Sequence, residues 1–232
     1  MATPFRYVDF AWICNAVYER SIFRATGGFV RSGMIVEQKI SGFQGAVFKR
    51  GNGSGIDWVI AITGTQPTEG YGVDVVADLG FGGNLSPIAT LSTALLSAQC
   101  ACATAMLKTV RGVASRNDRI VITGHSLGGG VAQIVGAANS IAALAISAPA
   151  VTAVEGVFAT WQKNQPQIVC LRVRNDPINH TDMLGSVLGR TVWLESPRTG
   201  GDAHSIEKTA IELSPHGQFT TLGQSDPFAV SA

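Results

Sequence analysis

Charge is scarce in this sequence. Only 14% of the 232 residues are Asp, Glu, Lys or Arg; 17 basic side chains stand against 16 acidic ones, and the formal net charge is +1. Such a balance leaves no basic stripe of the kind that phosphate backbones demand, so nucleic acid is excluded as an expected partner. A hydrophobic content of 46% excludes a disordered polymer. Long apolar runs are also missing. The best stretch, Ile141 to Val154, contains Ser147, Pro149 and Thr152 and is too short to cross a bilayer. It reads instead as a buried strand followed by a turn. The four cysteines, at 14, 100, 102 and 170, form no CxxC pair, so buried thiols in a reducing compartment are expected rather than a disulfide framework. The histidines are scattered and no H-E-x-x-H is present, so neither metal nor cofactor is implied. The opening residues, Met1 to Arg6, lack the basic region, apolar run and small-residue cleavage site of a secretory signal. The expectation is a cytoplasmic protein, or one exported without a cleaved signal.

What is present is organised as one domain over residues 1–232, with no repeat and no linker. Residues 4–23 carry an amphipathic helical pattern. Two strand-like runs, Gln44 to Phe48 and Trp58 to Thr63, flank the turn sequence Gly51-Asn52-Gly53-Ser54-Gly55. The stretch from Thr65 to Pro87 is glycine-rich and unpatterned, which suggests a functional loop. A long helix is expected over Pro87 to Val113, with Leu91, Leu95, Ala98, Cys102, Ala105 and Met106 on its apolar face. Strands then alternate with helices: strands at 119–123, 141–146, 167–173 and 191–194, helices at 127–139, 151–164 and 205–213. That order predicts a mostly parallel sheet covered on both faces, with an antiparallel edge on its N-terminal side.

The most informative segment is Ile120-Val121-Ile122-Thr123-Gly124-His125-Ser126-Leu127-Gly128-Gly129-Gly130. It places G-x-S-x-G between an apolar strand and a helix, the context in which a serine is lifted above a sheet edge. The serine of such a turn is strained, and bulky residues two positions away on either side would clash, hence Gly124 and Gly128. Gly129 allows the helix to approach the sheet. At the helix N-terminus, the dipole favours negative charge developing at Ser126.

The segment Thr123 to Gly129 resembles the nucleophile segment of the class 3 lipases, the fungal-lipase-like α/β hydrolases. The resemblance covers most of the chain. Ile60-Ala61-Ile62-Thr63-Gly64-Thr65 resembles the family's oxyanion strand and turn, and Asp78-Leu79 the acidic-apolar pair downstream. Arg174-Asn175-Asp176-Pro177-Ile178 resembles the acidic triad segment, and Ala203-His204-Ser205-Ile206 the segment with the histidine. One departure is Thr63, where the family often has arginine. The resemblance implies an α/β-hydrolase fold.

A serine hydroxyl needs a base, and the base an orienting carboxylate. Of the four histidines, His204 stands in the chain order Ser, Asp, His expected of this fold. His125 is expected to pack or hydrogen-bond locally, and His180 and His216 to be structural or surface residues. Asp176 directly follows a strand, where open α/β sheets assemble their sites; its ordinary alternative is a plain Asn-Asp-Pro turn. Asp182 and Asp202 are reserve candidates. The N–H of Leu127 comes with the turn as one oxyanion donor, and the resemblance implies Thr65 as the second. The resemblance also implies that residues 66–87, with Tyr71, Val73, Val75, Val76, Leu79, Phe81 and Leu85, form a lid-like loop, read either as a small mobile lid or as a rim that leaves the pocket open to soluble esters. It could face an acyl chain or touch a membrane surface transiently. The expected activity is hydrolysis of carboxylic esters, with a lipid or phospholipid acyl ester as substrate. Hydrolysis of soluble esters, thioesters or amides, acyl transfer on soluble substrates, and a non-catalytic binding role on the same scaffold stay open at this point.

Overall fold

Runs such as Val59-Ile60-Ala61-Ile62 and Val169-Cys170-Leu171 are apolar on both alternating sides, so each needs cover above and below. The structure, a computed structural model, supplies that cover. It describes residues 2–19, 27–64 and 87–229, excepting the side chains of 87–93. The elements are α1 (Tyr7–Tyr18), β1 (Val30–Gln38), β2 (Phe43–Gly51), β3 (Ile56–Ile62), α2 (Pro87–Val113), β4 (Arg119–His125), α3 (Leu127–Asn139), β5 (Ala142–Ile146), α4 (Val157–Asn164), β6 (Ile168–Val173), a 3-10 helix (Pro177–Met183), β7 (Arg190–Leu194), α5 (Gly200–His204), α6 (Ile206–Leu213) and α7 (Thr220–Gln224).

The strands form a seven-stranded sheet in sequential order, β1 to β7. From β3 onward all neighbours are parallel. The β1–β2 and β2–β3 pairs are antiparallel, giving the expected N-terminal edge. The β2–β3 turn closes on Asn52, whose Oδ1 accepts from the N–H groups of Ser54 and Gly55. On one face α1 and α6 bury Phe10, Ile13, Val17, Ala210 and Leu213 against Val59, Val121, Leu144 and Leu171. On the other, α2, α3 and α4 bury Met106, Leu107, Val110, Val131, Val135 and Val157 against Ile60, Ile122, Ala143 and Cys170. Consecutive strand residues thus feed opposite cores. At about 25 cal/mol per Å² of apolar area removed from water, this two-sided burial is the main force holding the layers together.

Several expectations need correction. Strand β1 was not foreseen; in its sequence VRSGMIVEQ no residue is fully buried, Met34 and Val36 pack only partly against the core, and a register irregularity lies between Arg31 and Ile35 at the sheet edge. The helix expected over 151–164 begins only at Val157, after Gly156 at φ 75°. The helix expected over 4–23 runs from Tyr7 to Tyr18, and 20–23 lie outside the described residues. On α2, Ala105 is exposed, and the buried face runs through Gln99, Ala103, Met106, Leu107 and Val110. All four thiols are free, but only Cys14 and Cys170 are buried.

Candidate active site

Strand β4 ends at His125 and α3 starts at Leu127, leaving Ser126 alone to turn the chain. Ser126 adopts φ 57°, ψ −131°, a region that side-chain-bearing residues seldom enter. Its N–H is held by the Ile146 carbonyl at 3.1 Å. The neighbouring glycines leave no room for a methyl group. A Cβ on Gly124 would stand 2.2 Å from the Gly128 carbonyl oxygen. One on Gly128 would stand 2.4 Å from the carbonyl oxygens of Ile62 and Thr63, and one on Gly129 2.6 Å from Ala148 Cβ. Gly128 therefore does more than relieve the turn: it lets α3 touch the exit of β3. Leu127 is the first helical residue, so its N–H is among those the helix leaves unbonded and aimed past the N-terminus.

Asp176 caps the 3-10 helix that follows β6: its Oδ1 accepts from Ile178 N–H at 3.0 Å, and Pro177 occupies the first helical position. The turn-forming and site-facing readings of Asp176 therefore hold together. The His204 Nδ1–H donates to Asp176 Oδ1 and Oδ2 at 2.9 and 3.0 Å. On the other side of the ring, Ser126 Oγ donates to His204 Nε2 at 2.9 Å. Three residues separated by up to 78 positions in sequence thus form one hydrogen-bonded line. Burial pushes the Asp176 carboxyl up, but His204 and the Ile178 N–H outweigh it and hold the group below its ordinary range. The carboxylate is ionised at neutral pH and able to stabilise a positive His204.

The remaining candidates stand apart from this line. Asp182 is engaged by Arg172, and Asp202 by Lys208. His180 and His216 are exposed. Thr65 lies outside the described residues, as do 66–86 of the lid-like loop. Thr63 is described: its N–H donates to the Gln44 carbonyl at 3.0 Å, so the exit of β3 is tied to β2 without an arginine. Among the described residues, no group of three or more His, Cys, Asp and Glu side chains could hold a metal ion.

His125 differs from its expectation of local contacts. It is buried, its Nδ1 lies 3.0 Å from Tyr18 Oη, and its Nε2 lies 2.8 Å from the His204 carbonyl oxygen, partners 107 and 79 positions away. Burial, with His204 nearby, pushes its pKa down to about 3, so it is neutral near pH 7. Tyr18 reads in the sequence only as an apolar helix residue, and nothing local signals that its hydroxyl reaches the site.

A sequential, mostly parallel sheet with a serine on a strained strand-to-helix turn defines an α/β hydrolase. The particular family follows from sequence. Residues 59–184 match the family Lipase (class 3), and the chain belongs to it, among hydrolases of lipase and esterase type. The match includes Ser126 and Asp176 and ends before His204. Solved structures agree on the fold. The lipase from Rhizopus microsporus var. chinensis is similar at 12% identity and TM-score 0.55, with 83% of this chain and 72% of that one covered. Lipase II from Rhizopus niveus is similar at 14% identity and TM-score 0.54, with 82% and 80% covered. No curated protein sequence matches the chain.

Proposed function

We propose that this protein hydrolyses carboxylic esters of lipids, including phospholipid acyl esters, through an acyl-enzyme on Ser126. The observation that carries the reading is His204 bridging Ser126 Oγ and the Asp176 carboxylate at 2.9 to 3.0 Å. That geometry supports a reaction in which His204 Nε2 takes the hydroxyl proton as Ser126 Oγ attacks the ester carbonyl carbon. The negative charge moves to the carbonyl oxygen, where the Leu127 N–H receives it. The Thr65 N–H is the second donor in this reading. Collapse of the tetrahedral species breaks the ester C–O bond, and His204 returns its proton to the departing alkoxide, releasing the alcohol. Water, deprotonated by His204, then attacks the acyl-enzyme, and the carboxylic acid leaves with Ser126 reprotonated.

Membership of the class 3 lipases supports a lipid ester as the substrate.

The test is an ester series from p-nitrophenyl acetate to palmitate, followed by phospholipid vesicles, on wild type and Ser126→Ala. Wild-type turnover rising with acyl length and abolished in the variant is expected. Turnover confined to acetate would overturn the lipid assignment, and turnover surviving in Ser126→Ala would overturn the nucleophile.

A further inference from the structure

Beside the Ser126–His204–Asp176 line runs a second hydrogen-bonded line. Gly64 N–H donates to Tyr18 Oη at 2.6 Å, and Tyr18 Oη lies 3.0 Å from His125 Nδ1. His125 Nε2 lies 2.8 Å from the carbonyl oxygen of His204. The direction of every bond follows from the chemistry of its members. A backbone carbonyl can only accept, so His125 Nε2 carries a hydrogen and donates. A neutral imidazole has one N–H, so Nδ1 is the acceptor and the Tyr18 hydroxyl must donate to it. The lone pairs of the Tyr18 oxygen are then free for the Gly64 N–H. Reversing any one bond would leave two donors or two acceptors facing each other. Burial keeps His125 in its neutral form; the titratable groups facing it are Tyr18, His204 and Asp176.

The two ends of this second line meet the backbone beside the nucleophile and the segment that carries His204. Gly64 packs so closely on the nucleophile that a Cβ there would stand 2.7 Å from Ser126 Cβ and 2.9 Å from Tyr18 Oη. It also immediately precedes Thr65. At the other end, His204 is the last residue of α5, a helix of only 5 residues. Its ring is set against that of His125 at a centroid distance of 4.7 Å. Tyr18 itself is the last residue of α1, whose end is tied down by Gln44 Nε2 donating to the Val17 carbonyl at 2.8 Å.

We propose that Tyr18 and His125 are positioning residues: their one-way hydrogen-bond line fixes the backbone of His204 and the exit of β3 at Gly64 against Ser126, so that base and nucleophile keep one geometry. His125 has a second part in this. Being uncharged, it leaves His204 as the only imidazole of the pair to take up a proton, whereas a cation 4.7 Å away would oppose the imidazolium formed during turnover. The inference rests on the proposed role of Ser126 and His204.

The decisive variants are Tyr18→Phe, which removes one oxygen, and the pair His125→Phe and His125→Gln. Gln can still accept from Tyr18 and donate to the His204 carbonyl. For Tyr18→Phe and His125→Phe we expect kcat to fall roughly ten- to a hundred-fold with KM changed less than about two-fold, counted per site titrated with an active-site label. His125→Gln should recover most of that loss. Wild-type kcat per titrated site in Tyr18→Phe, or equal losses in His125→Gln and His125→Phe, would overturn the proposal. A measurement independent of turnover guards against misfolded variants: nitrogen NMR of wild-type His125 should report a neutral ring protonated at Nε2 throughout pH 5 to 8. An Nδ1-protonated ring, or one that titrates in that range, would overturn it as well. Survival of activity in Ser126→Ala would instead defeat the nucleophile assignment and leave the NMR result untouched.

Discussion

At the scale of single residues, the site depends on where protons reside. Asp176 is ionised and His125 is neutral, for opposite electrostatic reasons. His204 and the Ile178 N–H favour the charged form of Asp176 against burial, whereas at His125 the His204 carbonyl and the Asp176 charge offset burial only in part. Asp176→Asn keeps the shape of the acid but presents an amide to His204 Nδ1. We expect kcat to fall roughly 10³- to 10⁴-fold with the fold intact, read by steady-state kinetics alongside circular dichroism. His125 also predicts a pH dependence of stability. An unfolded histidine takes up its proton near pH 6.5, roughly, whereas the folded one stays neutral down to about 3. Between those limits the unfolded chain binds the extra proton, so acidification destabilises the fold by about 1.4 kcal/mol per pH unit. Urea denaturation at pH 7, 6 and 5 should show this slope in wild type and a shallower one in His125→Gln; identical slopes would contradict it.

At the scale of elements, the decisive unit is the β4–Ser126–α3 turn. Its glycines serve close backbone approach, and Gly128→Ala tests this directly. The added carbon would meet two carbonyl oxygens at 2.4 Å, so either α3 retreats from β3 or Ser126 leaves its strained conformation. We expect a loss of more than about 2 kcal/mol of stability, or a folded protein that no longer reacts with an active-site label. Unchanged stability and labelling would show that the turn has slack. This unit was legible in the sequence because strand, Ser126 and helix are contiguous and the glycine spacing is local. The later strands were legible for a similar reason, since parallel strands buried on both faces read as unbroken apolar runs. Strand β1 was not, because Ser32 and Gly33 interrupt its apolar pattern and only Met34 and Val36 pack partly against the core, so it owes most of its place to pairing with β2. Nor was the reach of Tyr18 to Gly64 and His125, which arises when α1 docks beside β3 and β4. Asp176 was legible as a strand-end acid, but its bond to His204 is a product of the fold.

At the scale of the molecule, the two ends of the sheet have separate tasks. The carboxyl ends of the parallel strands carry Ser126, Asp176 and the segment holding His204. The opposite end holds a buried charge cluster in which Asp57 at the start of β3 bonds Arg50 at 2.9 Å and Arg119 at 2.7 Å, and accepts from Asn52. Burial raises the Asp57 pKa, and these partners outweigh it, so the group is held below its ordinary range. Replacing it leaves Arg50, whose side chain is 4% exposed, short of its main partner. Asp57→Asn should therefore cost about 3 kcal/mol or more in denaturant unfolding, while kcat per folded molecule stays near wild type. A specific loss of kcat without loss of stability would contradict this division.

The central claim is that Ser126 is a nucleophile activated by His204, and covalent labelling tests it most directly. Wild-type protein treated with an alkyl fluorophosphonate should gain one adduct by intact mass, mapped to Ser126 by peptide sequencing. The adduct should be absent in Ser126→Ala and form far more slowly in His204→Ala. Labelling at another residue, or labelling of Ser126 at an unchanged rate without His204, would contradict the account.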